Sequence, residues 1–364
     1  MTDTFELELT TMAHGGSAIG RHDGRAIFVP YGIPGEKILA RITQDKGRFA
    51  EAEVVEVLDS APIRVTPRCP HFGICGGCHW QHIDYAAQLD FKRQVVQDQM
   101  RRMGGFTDLE VLPTIGSPQE WAYRVHITLH QTDKGQPGFV ATDDRTVIPV
   151  NECDIIHPKL LDMLHELNNG QPVTDDQLRL QTGTGETPDT LEKVYYTVSG
   201  RRFQCTVGSF FQVNIAQAET LVRLMLEALT PFDAKMRVLD LYAGVGLFTA
   251  FLAERASQGQ VTMIESAGTS IQDARVNLAD FKNIRFIEGL AEQALPNLKT
   301  RFDAAVIDPP RTGMKPKALE ALVKCQPRTI VYVSCDPATL ARDAKLLAAK
   351  GYRLNKVQPV DMFP

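Results

Sequence analysis

Nowhere do the 364 residues contain an uncharged apolar run of the ~18 residues a membrane span requires, so no segment reads as membrane-spanning. The N-terminus, MTDTFELEL, has no basic stretch followed by an apolar one, so it does not read as a secretory leader, and the expected location is the cytoplasm. There is no internal repeat and no low-complexity tract. Nor is there an excess of positive charge: the net charge of −5 mildly opposes a nucleic-acid binder, and any RNA surface has to be a local patch. The charge is uneven, with residues 1–60 acidic and residues 61–130 close to balance but carrying five of the nine histidines. Seven cysteines, an odd number in a chain of cytosolic character, favour metal binding or catalysis over a disulfide framework.

What remains is ordinary globular composition, 43% hydrophobic and 23% charged, at a length that suggests two or three domains. FELELTTMA, GRAIFVP, KILARITQ and AEAEVVEVLD read as short strands, with HGGSAIG and YGIPGE as turns between them, which predicts a small barrel over residues 1–60. The proline-rich SAPIRVTPRCP marks a boundary. A central α+β domain is expected over 61–205, containing a helix over residues 84–105 that ends in two glycines, strand-like pieces such as RVHITLHQ, TVIPV and KVYYTVSG, and one helix near Leu160–Leu167. Over 206–364 the apolar runs VLDLYAG, QVTMIES, IRFIEG, FDAAVIDPP and RTIVYVSCD alternate with helical segments. That pattern implies an α/β domain built on a mostly parallel sheet covered by helices.

Chemistry gathers at the predicted strand ends. VLDLYAGVGLFT runs from a strand through Gly244 and Gly246 into a helix, so the backbone can approach a ligand closely. The next strand ends in Glu265, whose carboxylate suits the two hydroxyls of a ribose. The third glycine of a dinucleotide-binding GxGxxG is absent, and S-adenosylmethionine, which has no pyrophosphate, fits better. A fourth strand ends in the turn Asp308–Arg311, stiffened by two prolines. In VYVSCDPATLARD the thiol of Cys335 sits just past a strand end, where α/β enzymes keep their chemistry, rather than inside the strand as a packing cysteine would. Cys205 and Cys325 have no such setting and read as packing residues. Cys69, Cys75 and Cys78 form C-x5-C-x2-C, and Cys153 follows far along the chain. Four thiolates suit zinc or an iron–sulfur cluster, and a single distant fourth ligand favours the cluster. The nearby His71, His79 and His82 read as surface-loop residues.

These motifs, in this order and nearly end to end, resemble the RNA uracil-5-methyltransferases, the bacterial 23S rRNA enzymes in particular. The resemblance implies a TRAM domain at the N-terminus and a Rossmann-like S-adenosylmethionine-dependent methyltransferase domain at the other end. The cysteine set implies [4Fe–4S] ligands at Cys69, Cys75, Cys78 and Cys153. GSFFQVN implies a cofactor or target contact at Gln212; the strand-end motifs imply cofactor contacts at Tyr242, Glu265 and Asp308; SCDPATLARD implies the nucleophile Cys335. Leu247 and Leu290 stand where relatives often have polar residues, which shifts the expected adenine recognition toward apolar packing and backbone groups. The expected partner is RNA, 23S rRNA first and tRNA second, with no membrane and no obligate protein partner. A non-catalytic RNA-binding protein and an iron–sulfur redox protein are the rivals from other classes. In the family the sequence continues beyond QPVDMFP, Gln358 to Pro364, to a glutamate thought to remove a proton from the base, so the C-terminal end of the domain is expected to be missing and no residue is named as that base.

The chemistry explains the position of Cys335. Carbon 5 of uracil is a poor nucleophile. A thiolate adding to carbon 6 makes the ring an enolate and carbon 5 nucleophilic, which calls for a soft, strong nucleophile. The nucleophile stands at a strand end because it has to meet a base swung out of its RNA stack.

Overall fold

The computed structural model describes residues 4–169, 177–184, 189–190 and 192–364; the first three residues of the acidic N-terminus and short stretches within 170–191 lie outside the described residues. Strands β1 (Thr4–Met12), β2 (Ala18–His22), β3 (Arg25–Val29), β4 (Lys37–Asp45) and β5 (Phe49–Asp59) close into a barrel in the order β1-β2-β3-β5-β4. The alternation read from the sequence is the physical cause: Leu7, Leu9, Ile27, Val29, Ile38, Ala40, Ala50 and Ala52 all point inward and are buried. The segment HGGSAIG is only partly a turn, because β2 already begins at Ala18 and pairs with Met12. The true turn is residues 13–17, closed by the Ala13 N–H donating to the Ser17 carbonyl at 2.8 Å. Past the barrel, Arg64 makes a two-pronged ion pair to the buried Glu36, at 2.6 and 2.7 Å, and pins the proline-rich boundary to it.

Helix α1 (Tyr85–Gln99) is N-capped by Asp84, runs on through a π turn over Met100–Gly104 and stops at Gly105, at φ +78°. Next come β6 (His126–Gln131), β7 (Pro137–Val140), β8 (Val147–Pro149), helix α2 (Pro158–Asn169) and β9 (Gln177–Gln181). The strands form an antiparallel sheet in the order β8-β7-β6-β9, and α2 buries Leu160 and Leu164 against Ile127, Leu129 and Leu180. A hairpin, β10 (Lys193–Val198) with β11 (Arg201–Thr206), follows. Its inward residues Tyr196 and Phe203 share a core with the C-terminal unit rather than with the antiparallel sheet.

The C-terminal unit alternates α3 (Ile215–Ala228), β12 (Arg237–Leu241), α4 (Leu247–Arg255), β13 (Gln260–Glu265), α5 (Gly268–Asn277), β14 (Ile284–Glu288), α6 (Ala291–Ala294), β15 (Ala304–Ile307), α7 (Pro316–Lys324), β16 (Thr329–Tyr332) and α8 (Pro337–Ala348). All five strands are parallel, in the order β14-β13-β12-β15-β16. Side chains alternate between two buried faces: Val238, Val261, Met263 and Val306 on one, Leu239, Leu241, Ile264 and Ile307 on the other. The chain winds outward from β12 in one direction and from β15 in the other, so the strand order reverses between them. Ligands bind outside the carboxyl ends of such a sheet, at that reversal. Helix α8 packs through Ala341 and Leu340 on Val96 and Met100, which ties α1 to the parallel sheet.

Candidate active site

Four loops leave the carboxyl ends of β12, β13, β15 and β16 and meet at the reversal. After β12, Tyr242 adopts φ +61° and Gly246 φ +90°, folding the loop back to start α4. A Cβ on Gly246 would lie 2.7 Å from Leu278, so only glycine fits there. Left-handed backbone at Tyr242 is strained for a bulky residue, and such strain concentrates at functional sites. Glu265, at the end of β13, accepts the Gly244 N–H at 2.8 Å on one carboxylate oxygen and the Ser266 and Ala267 N–H groups, each at 2.7 Å, on the other. The glycine loop and the acidic strand end are thus one rigid assembly.

Beneath this loop lies Asp240, which composition and spacing do not single out. It is fully buried, accepts from the Thr249 hydroxyl, and has one carboxylate oxygen without a partner. Burial, with the Asp308 and Glu265 charges adding to it, pushes its carboxyl up to about 7. Asp308, at the end of β15, is pushed up to about 6 by burial. The Gln212 amide donates to it at 3.3 Å. Gln212 arrives on GSFFQVN, where Phe211 is buried and stacks on Tyr196 at 4.3 Å, and Asn214 caps α3. Phe210, its neighbour, is 59% exposed, far more than an aromatic in an apolar motif suggests. The doubled Phe was the available signal, since a segment of extended backbone sends successive side chains to opposite sides.

Two cavities meet here. The smaller, about 450 Å³, runs along the glycine loop past Val245, Phe248, Ala267 and Thr269, a size and lining suited to a nucleoside-type small molecule. The larger, about 2130 Å³, is an open cleft walled by the barrel's first turn, the segment around Trp80, α1 and the loop carrying Cys335. Among the described residues only Phe210, Gln212, Tyr242, Glu265 and Asp308 line both. The four residues singled out for cofactor contact therefore stand at the doorway between the two spaces. The backbone-anchored carboxylate of Glu265, which lines the smaller cavity, gives it an acceptor of the kind the ribose hydroxyls of S-adenosylmethionine require. Leu247 is buried and Leu290 is 40% exposed at the mouth of the cleft.

Cys335, in the turn after β16, lines the larger cleft and is the exposed cysteine of the chain's described thiols. Its turn is built by Asp336, whose carboxylate caps α8 by accepting the Thr339 N–H at 2.8 Å, and by Ser334, whose hydroxyl donates to the Asp336 carbonyl at 2.9 Å. Burial pushes the thiol up from its ordinary range, the Arg311 guanidinium partly offsets that, and the Asp308 and Asp336 carboxylates add to the rise. Cys205 and Cys325 are buried in apolar cores, as their sequence settings implied.

The other four thiols occupy one neighbourhood at the far side of the cleft. Cys153, on the loop before α2, is pushed up to about 12 by burial, with Cys78 and Cys69 adding to it, and Cys75 and Cys78 are raised in the same way. Cys78 and Cys153 pack on the core beneath β6. None of the four is in a disulfide. Among the described residues no group of three or more His, Cys, Asp and Glu side chains closes on a single metal ion. The donor set is nonetheless four soft thiols, and a cubane cluster holds its thiolates farther apart than a lone zinc ion does. His82 corrects the surface-loop reading: it is 2% exposed, wedged between Tyr31 and Phe72, and burial pushes its imidazole down to about 4.

A parallel sheet with a nucleoside-sized cavity at its reversal, fused to a small barrel, defines a Rossmann-fold methyltransferase with an appended binding module. The comparisons with known proteins agree. Residues 3–55 match the TRAM domain and residues 189–364 match the tRNA (Uracil-5-)-methyltransferase family. An uncharacterized RNA methyltransferase of Streptomyces avermitilis is 32% identical, over 100% of this chain and 96% of its own length. One from Halalkalibacterium halodurans is 30% identical over 100% and 94%. The crystal structure of Pyrococcus abyssi tRNA (uracil-54, C5)-methyltransferase in complex with S-adenosyl-L-homocysteine superposes with a TM-score of 0.73 at 26% identity, covering 98% of this chain and 96% of that one. The chain belongs to the RNA uracil-5-methyltransferase family, and its activity is S-adenosylmethionine-dependent methylation of uracil carbon 5 in RNA.

Proposed function

We propose that this enzyme methylates a uridine of structured RNA, 23S rRNA in the first place, through a covalent adduct between Cys335 and carbon 6 of the base. The meeting of the two cavities at Gln212, Tyr242, Glu265 and Asp308, with Cys335 lining the larger one from the neighbouring strand end, carries this reading. S-adenosylmethionine, when bound, supplies an electrophilic sulfonium methyl. Glu265, Tyr242 and the glycine loop hold it in the smaller cavity. The uracil enters from the cleft, so the two reactants face each other across the doorway. Gln212 donates its amide N–H to Asp308, which leaves its carbonyl oxygen to accept from uracil N3–H. Arg311 offsets part of the rise that burial causes in the Cys335 thiol. The thiolate adds to carbon 6 and makes carbon 5 the nucleophile; once carbon 5 is methylated, loss of its proton to a base breaks the bond to carbon 6 and releases the thiolate. The barrel and the cleft wall bind the RNA, and the protein works in the cytoplasm.

Cys69, Cys75, Cys78 and Cys153 hold a [4Fe–4S] cluster in this reading, with a structural role in shaping the RNA-facing wall. The three working units are the barrel (1–60), the cluster-bearing region (61–205) and the methyltransferase unit (206–364), with the hairpin β10–β11 at the end of the second packing on the third. The cysteine set favours rRNA, by its resemblance to the rRNA enzymes. Transfer RNA is the second reading, favoured by the solved tRNA enzyme that covers nearly the whole chain. Mass mapping of methylated uridines in rRNA and tRNA from cells with and without the protein decides between them. Loss of a single 23S site supports the first, loss of a tRNA site the second, and an unchanged map in both overturns the proposal.

A further inference from the structure

The barrel does more than stand beside the cleft. Its first turn, residues 13–17, projects into the cleft wall and places the His14 imidazole 3.5 Å from the Asp336 carboxylate. Asp336 is the residue after Cys335 and the cap of α8. One carboxylate oxygen is committed to the Thr339 N–H, and the other faces His14. Asp336 is only 24% exposed, so water screens this contact incompletely.

The turn is in turn held from behind. Ala13 and Ser17 close it, the Gly16 N–H donates to the Ala13 carbonyl at 3.1 Å, and the Trp80 indole N–H donates to the Gly16 carbonyl at 2.9 Å. Gly15 and Gly16 lie at φ +97° and +92°, and a Cβ on Gly16 would lie 3.0 Å from the indole nitrogen, so the turn fits against Trp80 only as glycine. Trp80 sits two residues after Cys78 and packs edge-on against Phe91 of α1. A continuous chain of contacts therefore runs from the cysteine-bearing segment, through the barrel turn, to the nucleophile's turn.

We infer that His14 is a positioning residue for Cys335: it fixes the second oxygen of Asp336, and with it the Ser334–Pro337 turn, so that the barrel sets the attack geometry as well as binding RNA. This rests on the reading of Cys335 as nucleophile. The barrel's contribution is then to turnover, not only to affinity.

The test uses the full-length protein. His14 is on an exposed turn, so its replacement leaves the core intact. His14→Ala is expected to lower kcat roughly tenfold, between the ~fivefold an exposed ion pair supplies and the ~100-fold that displacing a reacting group costs, with RNA affinity by gel shift within about twofold of the parent. The rate at which iodoacetamide alkylates Cys335 without RNA, followed by peptide mass spectrometry, changes in the same variant. His14→Gln, which keeps a donor within reach of Asp336, restores both. In a double-mutant cycle with Asp336→Asn, the losses in kcat are not additive. Unchanged kcat and alkylation in His14→Ala, beside an inactive Cys335→Ala, overturns this inference alone. A defect confined to RNA affinity also overturns it and makes His14 an RNA contact. An active Cys335→Ala instead overturns the proposed nucleophile.

Discussion

The carboxyl edge of the parallel sheet and the cysteine-bearing wall opposite it solve different problems with overlapping residue types. At the sheet edge each functional group stands at the end of a strand, one per loop: Tyr242 after β12, Glu265 at the end of β13, Asp308 after β15, Cys335 after β16. Regular structure ends there and backbone N–H groups are left over to anchor side chains, as Glu265 shows with three of them. The opposite wall is irregular. Its thiols come from loops 69–78 and 153, each half-buried, and burial raises Cys75, Cys78 and Cys153, with neighbouring thiols adding to it. In the proposed reading the exposed thiol near Arg311 reacts and the four crowded thiols are ligated. The difference says that a cysteine's role is set by what its neighbours do to the thiolate rather than by the thiol itself.

The sharpest break in that comparison is Cys335→Ala. Methyl transfer is expected to fall by on the order of 10⁴-fold or more, while S-adenosylmethionine affinity by calorimetry stays within about twofold, because the thiol touches the base alone. Residual activity near the parent level would move the nucleophile elsewhere. Next in size is Glu265→Gln. It weakens an acceptor that three backbone groups hold in place, so cofactor affinity is expected to drop roughly 10- to 100-fold with RNA binding unchanged. Equal losses of both ligands would mean that the loop has unfolded rather than lost a contact.

The opposite wall answers to a different assay. Anaerobically purified protein is expected to be brown with about four irons per chain, and Cys153→Ser to lose that colour. RNA binding in Cys153→Ser should fall about tenfold while cofactor affinity barely moves, since the cysteine packs beneath β6, away from the glycine loop. Stoichiometric zinc with no iron would overturn the cluster and leave the zinc reading of the same four thiols.

Much of the sheet edge was legible in the sequence because strand ends are local events. Apolar runs followed by Gly, Glu, Asp-Pro-Pro or Ser-Cys-Asp announce themselves, and Gln212, Tyr242, Glu265 and Asp308 do come together at one doorway. The barrel was legible through alternation, apart from the early start of β2. What the sequence hid is tertiary. The barrel turn's reach to Asp336 spans more than 300 residues of chain and leaves no local periodicity. Asp240 is part of an apolar strand, and only its burial near Asp308 and Glu265, which raises its carboxyl, sets it apart. His82 sits among Gly, Cys and His residues typical of a surface loop, yet the barrel residue Tyr31 and Phe72 close over it. The hairpin β10–β11 looks like its antiparallel neighbours but packs on the parallel sheet.

The smallest expected effect separates the two regions by the sign of their titration. Near the sheet edge, burial pushes Asp240 up to about 7 and Asp308 up to about 6, both above the ~3.9 of an unfolded aspartate. The folded state then binds more protons than the unfolded state, so the stability these groups lend is full below ~4 and is lost as pH rises through 6 and 7. On the other side, burial pushes His82 down to about 4 and His126 down to about 3, below the ~6.5 of an unfolded histidine. There the unfolded state binds more protons, so stability is gained as pH rises from about 4 to 6.5. The two regions oppose each other, and the cofactor-free protein is expected to melt at nearly the same temperature from pH 5 to 8. Asp240→Asn removes a falling contribution, so its stability relative to the parent should climb by ~1–2 kcal/mol over that range. His82→Phe, which keeps the packing on Tyr31 and Phe72, removes a rising one, and its relative stability should decline by a similar amount. Urea titrations at pH 5, 6.5 and 8 read both slopes. Parallel shifts of the two variants, with no opposite tilt, would mean that the buried carboxylate and the buried imidazole do not titrate in this range, and the contrast between the two regions would then be one of geometry alone.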